Sequence, residues 1–193
     1  MAKPNSDEFY SNYGRAMSAW ADIEAGLCAL FVQAIDPLNE TQVNAEGIFY
    51  SARSFNGRAD MLKAASKSKL LSQAQRQMTR AACKLAVDYN KFRSKLAHRV
   101  TVQTHWIISD KIETHLREGS DTYGKEGELP SITIEHLKNA TVHFDALSFV
   151  ILTGDSDEVR PFEESLQLIH QLPKEPHLHP DDHLIAKIYE GFL

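Results

Sequence analysis

Tyr89-Asn90-Lys91-Phe92-Arg93-Ser94-Lys95-Leu96-Ala97-His98-Arg99 closes the longest helical pattern of the chain, and its reading decides the fold. Upstream of its end, Met78, Ala82, Leu85, Tyr89, Phe92 and Leu96 alternate at four and three residues, the apolar stripe of an amphipathic helix predicted over Ser72 to His98. Directly after it the period changes to two. Val100, Val102, Thr104, Trp106 and Ile108 alternate with Thr101, Gln103, His105 and Ile107, which reads as a strand. Ser109-Asp110 turns this strand toward a second near Lys111 to Arg117.

The same helical period recurs on both sides. Trp20, Ile23, Leu27, Leu30 and Ala34, with Phe31 beside them, mark a helix over Asp7 to Ile35 that stops at Asp36-Pro37. Ile48, Ala52, Phe55, Ala59 and Leu62 mark a second over Glu40 to Ala65, with Gly57 as its weak point. Leu137, Thr141, Phe144, Leu147 and Ile151 mark a fourth over Ile134 to Leu152, ended by Gly154. Glu118 to Pro130 reads as a polar loop. Pro161 opens a shorter helix to His170, Pro173, Pro176 and Pro180 mark a linker, and Leu184, Ile185, Ile188, Tyr189 and Phe192 form a last amphipathic turn. The fold class this predicts is all-α: an antiparallel four-helix bundle over residues 1–154, with a small β-hairpin inserted at about 100–117 between helices 3 and 4. An acidic, Pro-punctuated helical appendage over 155–193 completes it.

The chain has 193 residues, 42% hydrophobic and 24% charged, which suits a soluble globular protein of one domain or one domain with an appendage. No uninterrupted apolar run approaches the ~20 residues of a bilayer span, and Met1 to Glu8 lacks the apolar region of a signal peptide. Cys28 and Cys83 both fall inside helical patterns and read as small core residues of a reduced, cytoplasmic protein. The net charge of −5 hides a segregation: Arg53 to Arg99 holds twelve Lys or Arg against Asp60 and Asp88, a balance of +10, and the remainder carries −15. Such a segment draws polyanions through its local field unless the fold covers it with acids.

Arginine and histidine near one helix end suit phosphodiester chemistry. A histidine moves protons near neutral pH. An arginine holds a phosphate through two parallel hydrogen bonds and offsets the charge that grows as phosphorus is attacked. Arg93 and His98 are five residues apart, about 140° around an ideal helix, so they do not stack; Ser94 and His98, four apart, do. The competing explanation is that a cation near a helix C-terminus gains up to ~1 kcal/mol from the dipole and needs no other role.

The arrangement resembles the HEPN superfamily of small helical-bundle proteins. It does so through Arg93-Ser94-Lys95-Leu96-Ala97-His98 at the end of the third helix, Trp20-Ala21-Asp22-Ile23-Glu24 on the first and Arg58 on the second, over about Ser6 to Leu152. What the resemblance implies is metal-independent RNA cleavage by a homodimer, in a toxin or defence effector governed by an antitoxin or other regulatory protein. On that basis Arg93 and His98 are catalytic: Arg93 binds the phosphate, and His98 assists attack of the ribose 2′-hydroxyl or protonates the leaving oxygen. Ser94, Glu24 and Arg58 support them, with Ser94 orienting His98 or contacting the ribose. Arg53, Lys91, Lys95 and Arg99 contact nucleic acid. No cofactor or metal is implied. Position 94 is Ser where active members more often carry Asn, Asp or His, and the residue after the histidine is Arg99 where glycine is frequent. Position 100 is Val where members controlled by nucleotidylation carry tyrosine. The alternative is a catalytically silent module of the same kind that binds RNA or protein; the third reading is a structural helical protein whose charges pair internally.

Other groups have plainer explanations. Glu24 sits at the edge of the first stripe, placed to pair with Arg58 or Arg93 as a half-buried ion pair. His170, His177, His179 and His183 with Asp181 and Asp182 hold metal-ligand types but lie on a Pro-punctuated linker without helical ligand spacing. Trp106, His105 and Gln103 would stack on bases if free, yet Trp106 shares its face with Val100 and Val102 and is expected to pack against the bundle.

Overall fold

The helix that ends in Arg93–His98 starts at a well-made cap. In a computed structural model of the chain, which describes residues 6–35, 38, 42–106, 111–117, 131–154 and 160–190, Ser72 is the N-cap of a helix running Gln73–His98. The Ser72 hydroxyl accepts from the Gln75 N–H at 3.2 Å, and the Gln75 side chain accepts from the Ser72 N–H at 2.7 Å, a reciprocal capping box. At the other end Arg99 turns extended, with φ −94° and ψ 150°, and the chain enters a strand.

Among the described residues there are seven α-helices and two strands: α1 Ser6–Ile35, α2 Gln42–Ser51, α3 Phe55–Ala65, α4 Gln73–His98, β1 Val100–Trp106, β2 Lys111–Arg117, α5 Ile134–Thr153, α6 Phe162–Gln171 and α7 Asp182–Tyr189. The protein is mainly helical, as the periodicity predicts. β1 and β2 pair antiparallel, with Val100 opposite Arg117 and Trp106 opposite Lys111. Leu116 and Ile132 exchange backbone hydrogen bonds at 3.0 Å and are both buried, which pins β2 beside the start of α5. The side chains of Gln103, His105 and Trp106 and the acidic run from Asp155 to Glu158 lie outside the described residues, as do the loop 118–130 and the stretch 107–110.

The core is organised around α1 and α5, which pack along each other. Phe9, Ala16, Trp20, Ile23, Leu27 and Leu30 of α1 meet Leu137, Ala140, Phe144, Leu147 and Ile151 of α5 in one buried cluster. Gly26 permits the approach: a Cβ there would stand 2.9 Å from Ile151 Cγ2. Phe144 is the centre of the aromatic layer, with its ring 5.6 Å from Trp20 and 5.5 Å from Tyr89 of α4. α1 is also long and apolar enough to meet the composition test for a membrane span, but its apolar stripe is occupied by the packing against α5 and α4.

Three sequence expectations need correction. The second helix is not continuous from Glu40 to Ala65: α2 ends at Ser51, where the Ser51 hydroxyl donates to the Ile48 carbonyl at 2.6 Å, and α3 begins after Ser54. Ser54 is extended (φ −107°, ψ 148°) and its hydroxyl accepts from the Gly57 N–H at 3.1 Å, so a new N-cap, not Gly57, breaks the pattern. The break also rotates α2, so that Ala45 and Phe49 are buried while Ile48, expected on the inner face, is 50% exposed. The segment after 154, expected as a helical appendage, packs on the bundle: Phe162, Leu168, Ile169 and Leu172 of the α6 segment join the cluster, with α6 against α4. Arg160, only 3% exposed, fastens α7 by donating to the Ile188 carbonyl at 2.6 Å while its guanidinium lies over the Phe149 ring.

Candidate nucleic-acid interface at the end of helix α4

The C-terminal half of α4 carries most of the singled-out residues, and the helix sorts them onto separate faces. Lys91, Lys95 and His98 follow each other at four and three residues and share a side. Lys91 and Lys95 line a groove of about 260 Å³ with Lys174, Asp88, Phe92, Glu175, Pro176 and His177. Lys91 pairs with Asp88 at 2.6 Å. His98 is exposed and its side chain makes no hydrogen bond or ion pair among the described residues. Arg93 looks away from this face, about 140° from His98. It is half-buried, and its Nε is shielded from solvent with no hydrogen-bond partner. The structure therefore does not bring Arg93 and His98 side by side within one chain.

The supporting residues fall into two places. Glu24 pairs with Arg58, not Arg93: Arg58 Nη2 donates to Glu24 Oε1 at 3.2 Å, with both side chains less than a fifth exposed, and the guanidinium stands over the Tyr50 ring at 5.7 Å. This is a brace among α1, α2 and α3. Because a half-buried ion pair gives back much of its Coulomb gain in desolvation, its net contribution to stability is small. Ser94 is half-buried and forms no side-chain hydrogen bond to His98. Arg53 is exposed at the α2–α3 break, and Arg99 is half-buried at the start of β1.

Among the described residues, the ion pairs of the positive segment run mostly to its own acids. Lys63 and Lys91 pair with Asp60 and Asp88, the segment's own two acids, on their own helices. Glu24 is the outside acid shown pairing with it, through Arg58. Arg76 and Arg80 bond to Ser68 and Ser66, and Arg53, Arg93 and Lys95 form no ion pair among the described residues.

Neither cysteine is placed for nucleophilic work. Burial pushes the Cys83 thiol up to about 11, and its Sγ donates to the Ala59 carbonyl at 3.4 Å. Burial, then the nearby Glu46, raise Cys28 as well, so both stay protonated near neutral pH. Among the described residues no three of His, Cys, Asp and Glu gather where a metal ion could be held. Two histidines of the linker, His177 and His179, have structural contacts instead. His177 stacks on Phe92 (centroids 5.1 Å, planes 9° apart) and meets the edge of His136, and the Asn139 amide donates to the His177 carbonyl at 3.2 Å. Buried His143 donates from Nδ1 to the Pro176 carbonyl at 2.8 Å, and His179 donates to the Pro180 carbonyl.

Acid is expected to loosen the packing of this linker on α4 and α5. Burial lowers the His177 pKa; His136 and Lys95 lower it further, against Glu175. Burial lowers His143 too, against its hydrogen bond to Pro176. An unfolded histidine titrates near 6.5, so as pH falls through that value the unfolded chain takes up protons before the folded one. Stability is full above roughly 6.5 and declines as pH drops from there toward the lower folded values. Thermal melts between pH 8 and 5 are expected to show a smaller acid loss for His177→Phe, which keeps the stack on Phe92 without the charge. Equal losses in the two proteins would assign the acid sensitivity elsewhere.

Sequence reasoning missed one cluster. Tyr10 and Tyr13, on the first turns of α1, reach the end of α4: with Phe9, Leu96, Ala97, Arg99, Thr101 and Leu116 they line a cavity of about 220 Å³, and Tyr13 Oη donates to the Leu96 carbonyl at 3.5 Å. The signal was the aromatic run Phe9, Tyr10 and Tyr13 ahead of the Trp20 stripe. Compared with protein-family models, curated proteins and solved structures, the chain matches none.

Proposed function

We propose that the protein is a HEPN-like four-helix bundle, built on α1, the α2–α3 pair, α4 and α5, and that it is a metal-independent endoribonuclease whose site forms where the α4 ends of two copies meet. The observation that carries this reading is that one helix end holds both an Arg93 Nε buried without a partner and a His98 ring without one, among the described residues. A desolvated cationic donor is costly unless an anion completes it. Alongside them, Lys91 and Lys95 present charge to a phosphate backbone. A single chain offers the two groups on different sides of α4. A two-fold axis through the α4 ends supplies the missing partner to each.

In such a site a neutral His98 accepts the proton of the ribose 2′-hydroxyl as that oxygen attacks the adjacent phosphorus. The second copy's histidine, protonated, gives a proton to the departing 5′-oxygen. The products are a 2′,3′-cyclic phosphate and a 5′-hydroxyl, and no water is consumed. Arg93 meets the charge that builds on the non-bridging oxygens. A cytoplasmic toxin or defence effector restrained by a regulatory protein is the setting that fits this chemistry.

The test is incubation of the purified protein with total RNA and tRNA in EDTA over a range of protein concentrations. Cleavage leaving cyclic phosphate ends, with a rate that rises as the square of protein concentration while the monomer dominates, supports the dimeric nuclease. RNA that stays intact over a concentration range in which sedimentation shows dimer rejects it. A second reading, a silent RNA-binding module, is favoured by one observation: Ser94 does not bond to His98, so no side chain among the described residues orients the imidazole. That reading predicts salt-dependent RNA binding with no cleavage.

A further inference from the structure

We infer that the cavity between the first turns of α1 and the α4–β1 junction is a nucleobase subsite for single-stranded RNA, with Tyr10 as its stacking platform. The inference rests on the proposed function, and goes beyond it by saying which part of the RNA is held and where. The lining is apolar at its floor, through Phe9, Leu96 and Leu116, and polar at its rim, through Tyr13, Arg99 and Thr101. Apolar walls with a few placed polar groups are what a planar ring with a hydrogen-bonding edge needs. About 220 Å³ is below the roughly 300–1,000 Å³ of sites for drug-sized ligands, which limits the occupant to a single ring system.

Tyr10 is 54% exposed, although its ring is fixed from below by an edge contact with buried Phe9 at 5.9 Å and 84°. An aromatic face packed at one edge and left open to solvent suits stacking on an unpaired base. Tyr13, three residues on along α1, half-buried and bonded to the Leu96 carbonyl, closes the inner wall. Position along the chain adds a second argument. Ala97 and Arg99, both lining the cavity, flank His98. His98 itself is outside the lining, and the groove of Lys91 and Lys95, which share the His98 side of α4, is placed to receive neighbouring phosphates. Stacking on Tyr10 is tolerant of base identity, so the subsite selects unpaired RNA over duplex and not one sequence over another.

The test uses the full chain and a labelled single-stranded RNA carrying 2′-O-methyl groups, which cannot be cleaved. Anisotropy titrations compare it with an oligonucleotide of the same length and backbone that is abasic. Wild type is expected to prefer the RNA with bases. Tyr10→Ala is expected to weaken that binding about 5- to 100-fold, leave binding of the abasic strand unchanged and so remove the preference; Tyr10→Phe is expected to keep it. Circular dichroism confirms that the variants fold. Equal binding of both strands by wild type, or an undiminished preference in Tyr10→Ala, overturns the subsite while leaving RNA binding and cleavage standing. Binding of neither strand overturns the subsite together with the function on which it rests.

Discussion

Replacing His98 with alanine is expected to lower RNA cleavage by about 10²- to 10⁴-fold, the range that a positioned proton-transfer group supplies, and to leave stability within about 0.5 kcal/mol. The second half follows from the structure: the ring is exposed, ends α4 and holds no other side chain. Arg93→Ala should cost a comparable factor. Arg93→Lys should not restore it, because a point ammonium lacks the planar fork that meets two phosphate oxygens at once. The measurement is the initial rate on tRNA in EDTA at a fixed dimer concentration, with melting temperature recorded for each protein. Wild-type rates from both alanine variants, each folded, would remove the pair from the chemistry.

Phe144→Ala is expected to have the largest effect on stability, about 3–5 kcal/mol. The ring is fully buried, contacts Trp20 on one side and Tyr89 on the other, and joins α5 to α1 and α4 at once. Neither the Trp20 Nε1 nor the Tyr89 Oη has a hydrogen-bond partner among the described residues, so ring packing is what holds this layer. For a chain of this size the loss corresponds to a fall in melting temperature on the order of 6–20 °C. Urea titration followed by tryptophan fluorescence reads it directly. Phe144→Leu should lose much less, since most of the volume is kept. A fall of only a degree or two for the alanine variant would show that the core closes without this ring.

The helices with a sustained apolar stripe were legible because burial on one side is what makes a 3.6-residue period. Trp20, Ile23 and Leu27, then Met78, Ala82 and Leu85, are all buried where the stripe puts them. The break between α2 and α3 was not legible. Ser54 caps a helix only if the chain there is extended, and that is decided by how Phe55 and Phe49 reach the core, with Phe55 4.9 Å from Trp20 and Phe49 5.4 Å from Phe31. The site was legible as a list of residue types and not as a geometry. The Glu24–Arg58 pair was among the expected pairings, since both positions edge an apolar stripe. The cavity at the α4–β1 junction was not foreseen, because Tyr10 and Tyr13 come to Ala97 and Arg99 only through the antiparallel packing of α1 on α4.

The partnership of α1 with α5 sets an order of events during synthesis. The first long helix leaves the ribosome early, but Ile151, which seats against Gly26, is made more than a hundred residues later. Until then Trp20, Ile23 and Leu27 have no α5 to cover them, and α4 has no closed core behind it. A nascent chain ending at β2 therefore carries the whole basic segment from Arg53 to Arg99 without the α5 scaffold behind it. Long-range closure of this kind slows folding and exposes apolar surface for longer. It also leaves the Arg93–His98 end of α4 without its packed neighbours while the chain is still being made.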